Sequence, residues 1–193
     1  MSVKTLSVAE TGLAGVLVVT PAVYRDDRGF FLELFNEPCF AAAGLPASFV
    51  QDNHSRSVAG VVRGLHYQRT TAQGKLVRVT RGRIFDVAVD VRTGSPTFGS
   101  WAGVTLDDES LEALWIPPGF ANGFCALAPV VDVVYKCTAV YDPADEFGVV
   151  WNDPDIAIDW PATDPRLSDR DRVLPRLRGN SQLPIFHDAA GSA

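Results

Sequence analysis

Hydrophobic residues along this chain come in short runs broken by turn-forming residues. LVRV (76–79) is followed by Thr80-Arg81-Gly82-Arg83, then IFDVAVDVR (84–92), then Thr93-Gly94-Ser95-Pro96. In the longer run Phe85, Val87, Val89 and Val91 alternate with Ile84, Asp86, Ala88 and Asp90. A period of two marks a strand with one apolar and one mixed face. The same reading predicts strands over 14–19, 29–35, 59–68, 101–106, 112–116 and 130–141. Closely spaced strands punctuated by Gly and Pro predict an antiparallel sandwich or barrel.

Helix is scarce in the pattern. Asn36 is placed to cap a short helix through Phe40-Ala41-Ala42-Ala43, with Gly44 ending it. A second short helix is predicted near Ser168–Leu174, stopped by Pro175. The last dozen residues, from about 180 onward and ending HDAAGSA, read as a loose tail. The fold expected is mostly β, a single domain over 1–193 with a few short helices.

Composition narrows the function. The 193 residues are 47% hydrophobic, which suits one domain with a substantial core. Lys plus Arg number 17 against 23 Asp plus Glu, a net charge of −6 with no basic block, so nucleic acid is a poor partner. No run reaches the roughly 18–20 apolar residues of a membrane helix. The first residues lack the layout of a signal peptide, and Cys39, Cys125 and Cys137 lack metal-type spacing. Reduced, buried thiols and a cytoplasmic location are the expectations.

Three histidines can be weighed one by one. His187 lies in the tail and His54 in a polar segment, QDNHSRS, that reads as a loop. His66, in VVRGLHYQ, lies in a strand-like segment beside Gly64. Strict alternation puts Arg63 and His66 on opposite faces, whereas a bulge at Gly64 turns both toward one cavity. Lys75, Asn122, Tyr135 and Asp171 are polar groups set in or beside apolar segments. Val131, Val133, Tyr135, Cys137, Ala139 and Tyr141 share one face of an ideal strand. An interior Tyr135 is either a core residue with a backbone partner for its hydroxyl or a proton donor in a barrel mouth. On that strand Tyr141 stands roughly 20 Å further along, too far for both tyrosines to touch one small group.

The ordered segments DDRGFFLELFN (26–36), FVQDNHSRS (49–57), VVRGLHYQ (61–68), QGKLVRVTRGRIFDVAVDVRTGSPTFGSW (73–101), WIPPGFANGF (115–124), VVYKCTAVYDPADEFGVVWNDP (133–154) and LSDRD (167–171) carry a resemblance. The chain resembles the dTDP-4-dehydrorhamnose 3,5-epimerase family over about residues 11–178. The resemblance implies a cupin-type jelly roll or β-barrel, a homodimer, no cofactor and no metal. It also implies inversion of the carbons flanking the ketone of a dTDP-linked 4-keto-6-deoxyhexose. By motif position, His66 resembles the base, Asp171 its carboxylate partner, Lys75 the residue facing the keto oxygen and Tyr135 the acid. Arg28, Glu33, Gln51, Asn53, Arg63, Glu146 and Arg170 fall at substrate-contacting positions, and Tyr141 resembles the aromatic that stacks on thymine.

One position departs from the pattern. Asn122 stands where the family commonly has histidine; it can hydrogen-bond a substrate but cannot carry a proton near neutrality. A single-centre 3-epimerase of the same substrate class is therefore the alternative reading. A metal-dependent cupin needs several His and carboxylate ligands on facing strands, and here Asn122 stands where a ligand histidine could have been. A non-catalytic sugar-binding module would have lost the acid or base, and His66, Lys75, Tyr135 and Asp171 are all present.

Overall fold

A computed structural model describes residues 6–187. The chain runs through β1 (Ser7–Glu10), β2 (Leu17–Thr20), β3 (Val23–Asp26), β4 (Gly29–Leu32) and helix α1 (Glu37–Ala42). Then come β5 (Gln51–Ser57), β6 (Val62–Gln68), β7 (Lys75–Arg81), β8 (Arg83–Asp90) and β9 (Trp101–Asp107). It ends with β10 (Ala113–Ile116), β11 (Phe120–Ala126), β12 (Val131–Cys137), β13 (Glu146–Gly148) and α2 (Asp169–Arg172). A six-stranded sheet, β1-β2-β10-β7-β12-β5, faces a five-stranded sheet, β13-β6-β11-β8-β9, and β3–β4 form a separate hairpin. All of these strand pairings are antiparallel. No helix among the described residues is long and apolar enough to cross a membrane.

The alternation in β8 sorts the layers. Its mixed face points between the sheets, where Ile84 and Ala88 pack with Val77, Val79, Leu114 and Val133. Its apolar face points outward, and Val87, Val89 and Val91 are covered by Val149, Ile156, Trp160 and Leu177 from the C-terminal segment. The six-stranded sheet is covered likewise: Leu76 and Trp115 lie under Phe40 and Leu45. Burying an aliphatic side chain of this size contributes roughly 1.5–3 kcal/mol, so both outer coats matter to stability. The space between the sheets is apolar at one end and polar at the other, and the polar end holds the site.

Both helices follow their caps. Asn36 accepts from the Cys39 amide (3.2 Å), and Ser168 accepts from the Asp171 amide (3.0 Å). Several boundaries differ from expectation. The strand predicted over 130–141 ends at Cys137, and 29–35 becomes the short β4 paired with an unanticipated β3. QDNHSRS, read as a loop, is the edge strand β5, in register with all of β12. Its inward residues are polar, which hid the period. His54 is therefore a strand residue on the outer face, 3.2 Å from Asp132. Cys125 and Cys137 are buried, whereas Cys39 is only partly so; all three are free thiols.

The expected loose tail is tethered in its first part. Thr93 donates to the Pro184 carbonyl (2.8 Å), and Phe186 donates back to Thr93 (3.0 Å). The Arg92 guanidinium lies over the rings of Phe120 and Phe186. His187 is exposed, and residues 188–193 of that tail lie outside the described residues.

Candidate active site

A cavity of about 530 Å³ opens at the polar end of the barrel, walled by β6, β7, β11 and β12 and by α2. His66 on β6, Lys75 on β7, Asn122 on β11, Tyr135 on β12, and Arg170 and Asp171 on α2 all line it. Arg63 lines it too, which settles the alternation question. The β6–β11 register shifts between Asn122 and Phe124, so Arg63 and His66 turn to the same side. Glycine makes this shift possible. A Cβ on Gly64 would meet the Gly123 Cα at 2.5 Å, and Gly64 has a φ of +119° that L side chains rarely adopt.

His66 Nε2 lies 2.6 Å from the Asp171 carboxylate. Asp171 is buried, and its amide is tied to Ser168 at the start of α2. Burial pushes its carboxyl up. The hydrogen bond and charge of His66, with help from Ser168 and Gly64, outweigh burial and hold it below the ordinary carboxylate range. An ionised Asp171 accepts the Nε2 hydrogen and leaves Nδ1 with the lone pair. That is the tautomer a base needs.

Across the cavity, the Tyr135 hydroxyl has no hydrogen-bond partner among the described residues, against the core-tyrosine reading. Burial, followed by the neighbouring Cys137, Glu146 and Tyr141, raises it above the usual phenol value, against the pull of Arg63. It therefore keeps its proton at neutrality. The Lys75 Nζ stands 6.0 Å from the centre of the Tyr135 ring. Burial lowers the ammonium, while Cys137, Glu146 and Asp86 pull it back up. Among the described residues it makes no ion pair.

The residues around the mouth are linked. Glu146 accepts from Arg170 and from the Tyr141 hydroxyl (2.8 Å). Gln51 accepts from the Tyr141 amide (2.7 Å) and donates to Asn53 (2.9 Å), and Asn53 donates to the Cys137 sulfur. Tyr141 is thus linked through Gln51 to Asn53, the residue directly opposite Tyr135 on β5. The large separation expected from strand geometry fails because β12 stops at Cys137 and the chain folds back over Gln51 and Gln68.

Arg28 and Glu33 are not brought to this cavity. Arg28 sits at the β3–β4 turn, its side chain 85% exposed and paired with Asp26. Glu33 is exposed just after β4. The sequence reading missed Asp86, which is fully buried on the mixed face of β8. Asp86 Oδ1 accepts from Asn122 (2.8 Å), whereas Oδ2 has no partner. Burial pushes this carboxyl up to about 7 against the Asn122 hydrogen bond and the Lys75 charge. Its signal was present: an Asp on the face that also carries Ile84 and Ala88. Among the described residues, no group of three His, Cys, Asp or Glu side chains is placed to hold a metal ion.

Fold and site together define a cupin-like isomerase, built to move protons at carbon. The family model for dTDP-4-dehydrorhamnose 3,5-epimerase matches residues 10–179. The chain belongs to that family. It is 53% identical to a dTDP-4-dehydrorhamnose 3,5-epimerase of Methanothermobacter thermautotrophicus over 180 residues, covering 92% of this chain and 96% of the relative. A dTDP-4-dehydrorhamnose 3-epimerase of Streptomyces niveus is 43% identical, over 91% of this chain and 87% of the relative. Among solved structures, the dTDP-6-deoxy-D-glucose-3,5-epimerase of Legionella pneumophila, in complex with dTDP-4-keto-L-rhamnose, superposes with a TM-score of 0.90 at 45% identity. That match covers 94% of this chain and 99% of the other.

Proposed function

We propose that this chain epimerises a dTDP-linked 4-keto-6-deoxyhexose at C3 and C5, in deoxysugar biosynthesis. The observation that carries the reading is one cavity shared by a carboxylate-paired imidazole and a phenol with no partner among the described residues. A hydrogen on carbon beside a ketone is a weak acid, so the site must hold a base and stabilise an enolate. His66 takes the proton. Asp171 fixes its tautomer and balances the imidazolium that forms. Lys75 faces the keto oxygen, where one preorganised donor contributes on the order of 2.7–4 kcal/mol to the developing oxyanion. Tyr135 returns a proton from the opposite side of the ring, and inversion follows.

Arg63 and Arg170 give an acidic protein a local positive potential suited to a diphosphate. Gln51, Asn53, Glu146 and Tyr141 ring the mouth where the nucleotide enters. The active form is a homodimer. The β3–β4 hairpin carries exposed Tyr24, Phe30 and Phe31, with Phe31 69% exposed, and packs on a second copy so that Arg28 and Glu33 reach that copy's cavity. Three free thiols suit a cytoplasmic enzyme.

Exchange with deuterated water tests the reaction. Incubation with dTDP-4-keto-6-deoxyglucose is expected to place deuterium at both C3 and C5. Label at one carbon supports the 3-epimerase reading, which Asn122 favours. Label at neither overturns both readings.

A further inference from the structure

The cavity wall beside His66 is chemically one-sided. Asn122 and His66 are direct partners across β11 and β6, so their side chains leave neighbouring points of one face. The Asn122 amide is held by two acceptors. Its Nδ2 donates to Asp86 Oδ1 at 2.8 Å and to the Val87 carbonyl at 3.1 Å. Both amide hydrogens are thus engaged, and the Val87 carbonyl, which can only accept, fixes which end of the amide points down. Oδ1 points the other way. Among the described residues no group donates to it, and it is not sealed in the protein, since Asn122 lines the cavity.

An acceptor with no donor beside it reads a hydroxyl. The two carbons His66 must serve differ in this respect: C3 of the sugar carries a hydroxyl, whereas C5 carries a methyl group that has no hydrogen to donate. A carbon close enough to give its proton to His66 brings its own substituent within reach of Asn122. We propose that Asn122 Oδ1 accepts the C3 hydroxyl and so selectively supports the half of the reaction at C3. The inference rests on the reading of the substrate given above. Asp86 serves it from below, by keeping the amide from turning over.

The test compares deuterium entry at C3 and at C5 in the unmodified enzyme, Asn122→Ala and Asn122→His, with dTDP binding measured alongside. Loss of one such hydrogen bond is expected to lower the C3-to-C5 ratio about tenfold in Asn122→Ala. Asn122→His keeps a donor for Asp86 and a ring nitrogen as acceptor, and is expected to restore the ratio to within about threefold. An unchanged ratio in Asn122→Ala, an equal loss at both carbons, or failure of Asn122→His to restore C3 exchange overturns the proposal. So does unmodified enzyme that labels C5 alone. Should Asn122→Ala fail to bind dTDP, the unmodified enzyme decides with a 3-fluoro analogue, because fluorine cannot donate. About tenfold weaker binding than that of the 3-hydroxy compound is expected, and equal binding overturns the proposal. Unmodified enzyme that labels neither carbon counts instead against the epimerase reading itself.

Discussion

The Asp171 carboxylate meets His66 Nε2 at 2.6 Å, although the two residues lie 105 positions apart in the chain. The bond fixes a tautomer, so its loss is felt in the chemical step more than in binding. Asp171→Asn can present its amide hydrogens to the ring and favour the wrong tautomer. The expected outcome is a fall in kcat on the order of 10²-fold or more, with KM changed far less. Steady-state kinetics at several substrate concentrations checks it.

The same carboxyl links stability to acid. Its native value lies below the ordinary 3.8, so the native state favours the ionised form. The contribution is complete above that ordinary value and is lost as pH falls through the native one. Thermal melts from neutrality into acid should show Asp171→Asn losing less stability than the unmodified protein over that lowest window. Parallel curves would count against it.

Asp86 acts with the opposite sign. Its carboxyl is pushed from 3.8 to about 7 by burial, so between those values the native state holds a proton that the unfolded chain has released. Stability therefore falls as pH rises through that window, by on the order of a few kcal/mol at most. Asp86→Asn should flatten the decline in Tm between about pH 4 and about pH 7. A decline of the same slope in the variant would show that another group causes it.

In the proposed mechanism Tyr135 acts after the base. Tyr135→Phe removes only the hydroxyl oxygen, and no hydrogen bond among the described residues depends on it. Deuterium should still enter at one centre while that centre fails to invert, as read by NMR of the recovered sugar. Equal loss of dTDP binding and of exchange would make Tyr135 a packing residue instead.

The hairpin is tested by mixing two inactive proteins. His66→Asn lacks the base, and Arg28→Ala lacks the arginine proposed to reach the other copy. In a mixed dimer one cavity has its own His66 and receives an intact Arg28 from its mate. Random reassociation should restore about a quarter of normal turnover. No recovery after mixing would confine Arg28 to its own chain.

Much of this architecture could be read from the chain, because period two survives wherever one strand face is apolar. β8 and β12 show it plainly, and the Asn36 and Ser168 caps mark both helices. β5 was hidden because Gln51, Asn53, Ser55 and Ser57 face a wet site rather than a core. Asp86 was hidden for the converse reason: one acid on a mixed face looks solvated until the opposing sheet closes over it. The nearness of Tyr141 to Tyr135 depends on where β12 stops, and no residue between 137 and 141 forces that break. The structure holds Arg28 and Glu33 away from the cavity, and their proposed placing at a second copy's cavity is a matter on which a single chain's pattern is silent.

The segment that coats the outer face of the five-stranded sheet also delivers Asp171. A polypeptide cut before Asp164 would keep every barrel strand and both His66 and Tyr135, yet its imidazole would lack the anion that orients it. On the roles proposed above, one stretch of chain therefore does two jobs: it seals the outer face of the barrel and supplies the anion that sets the imidazole for proton removal.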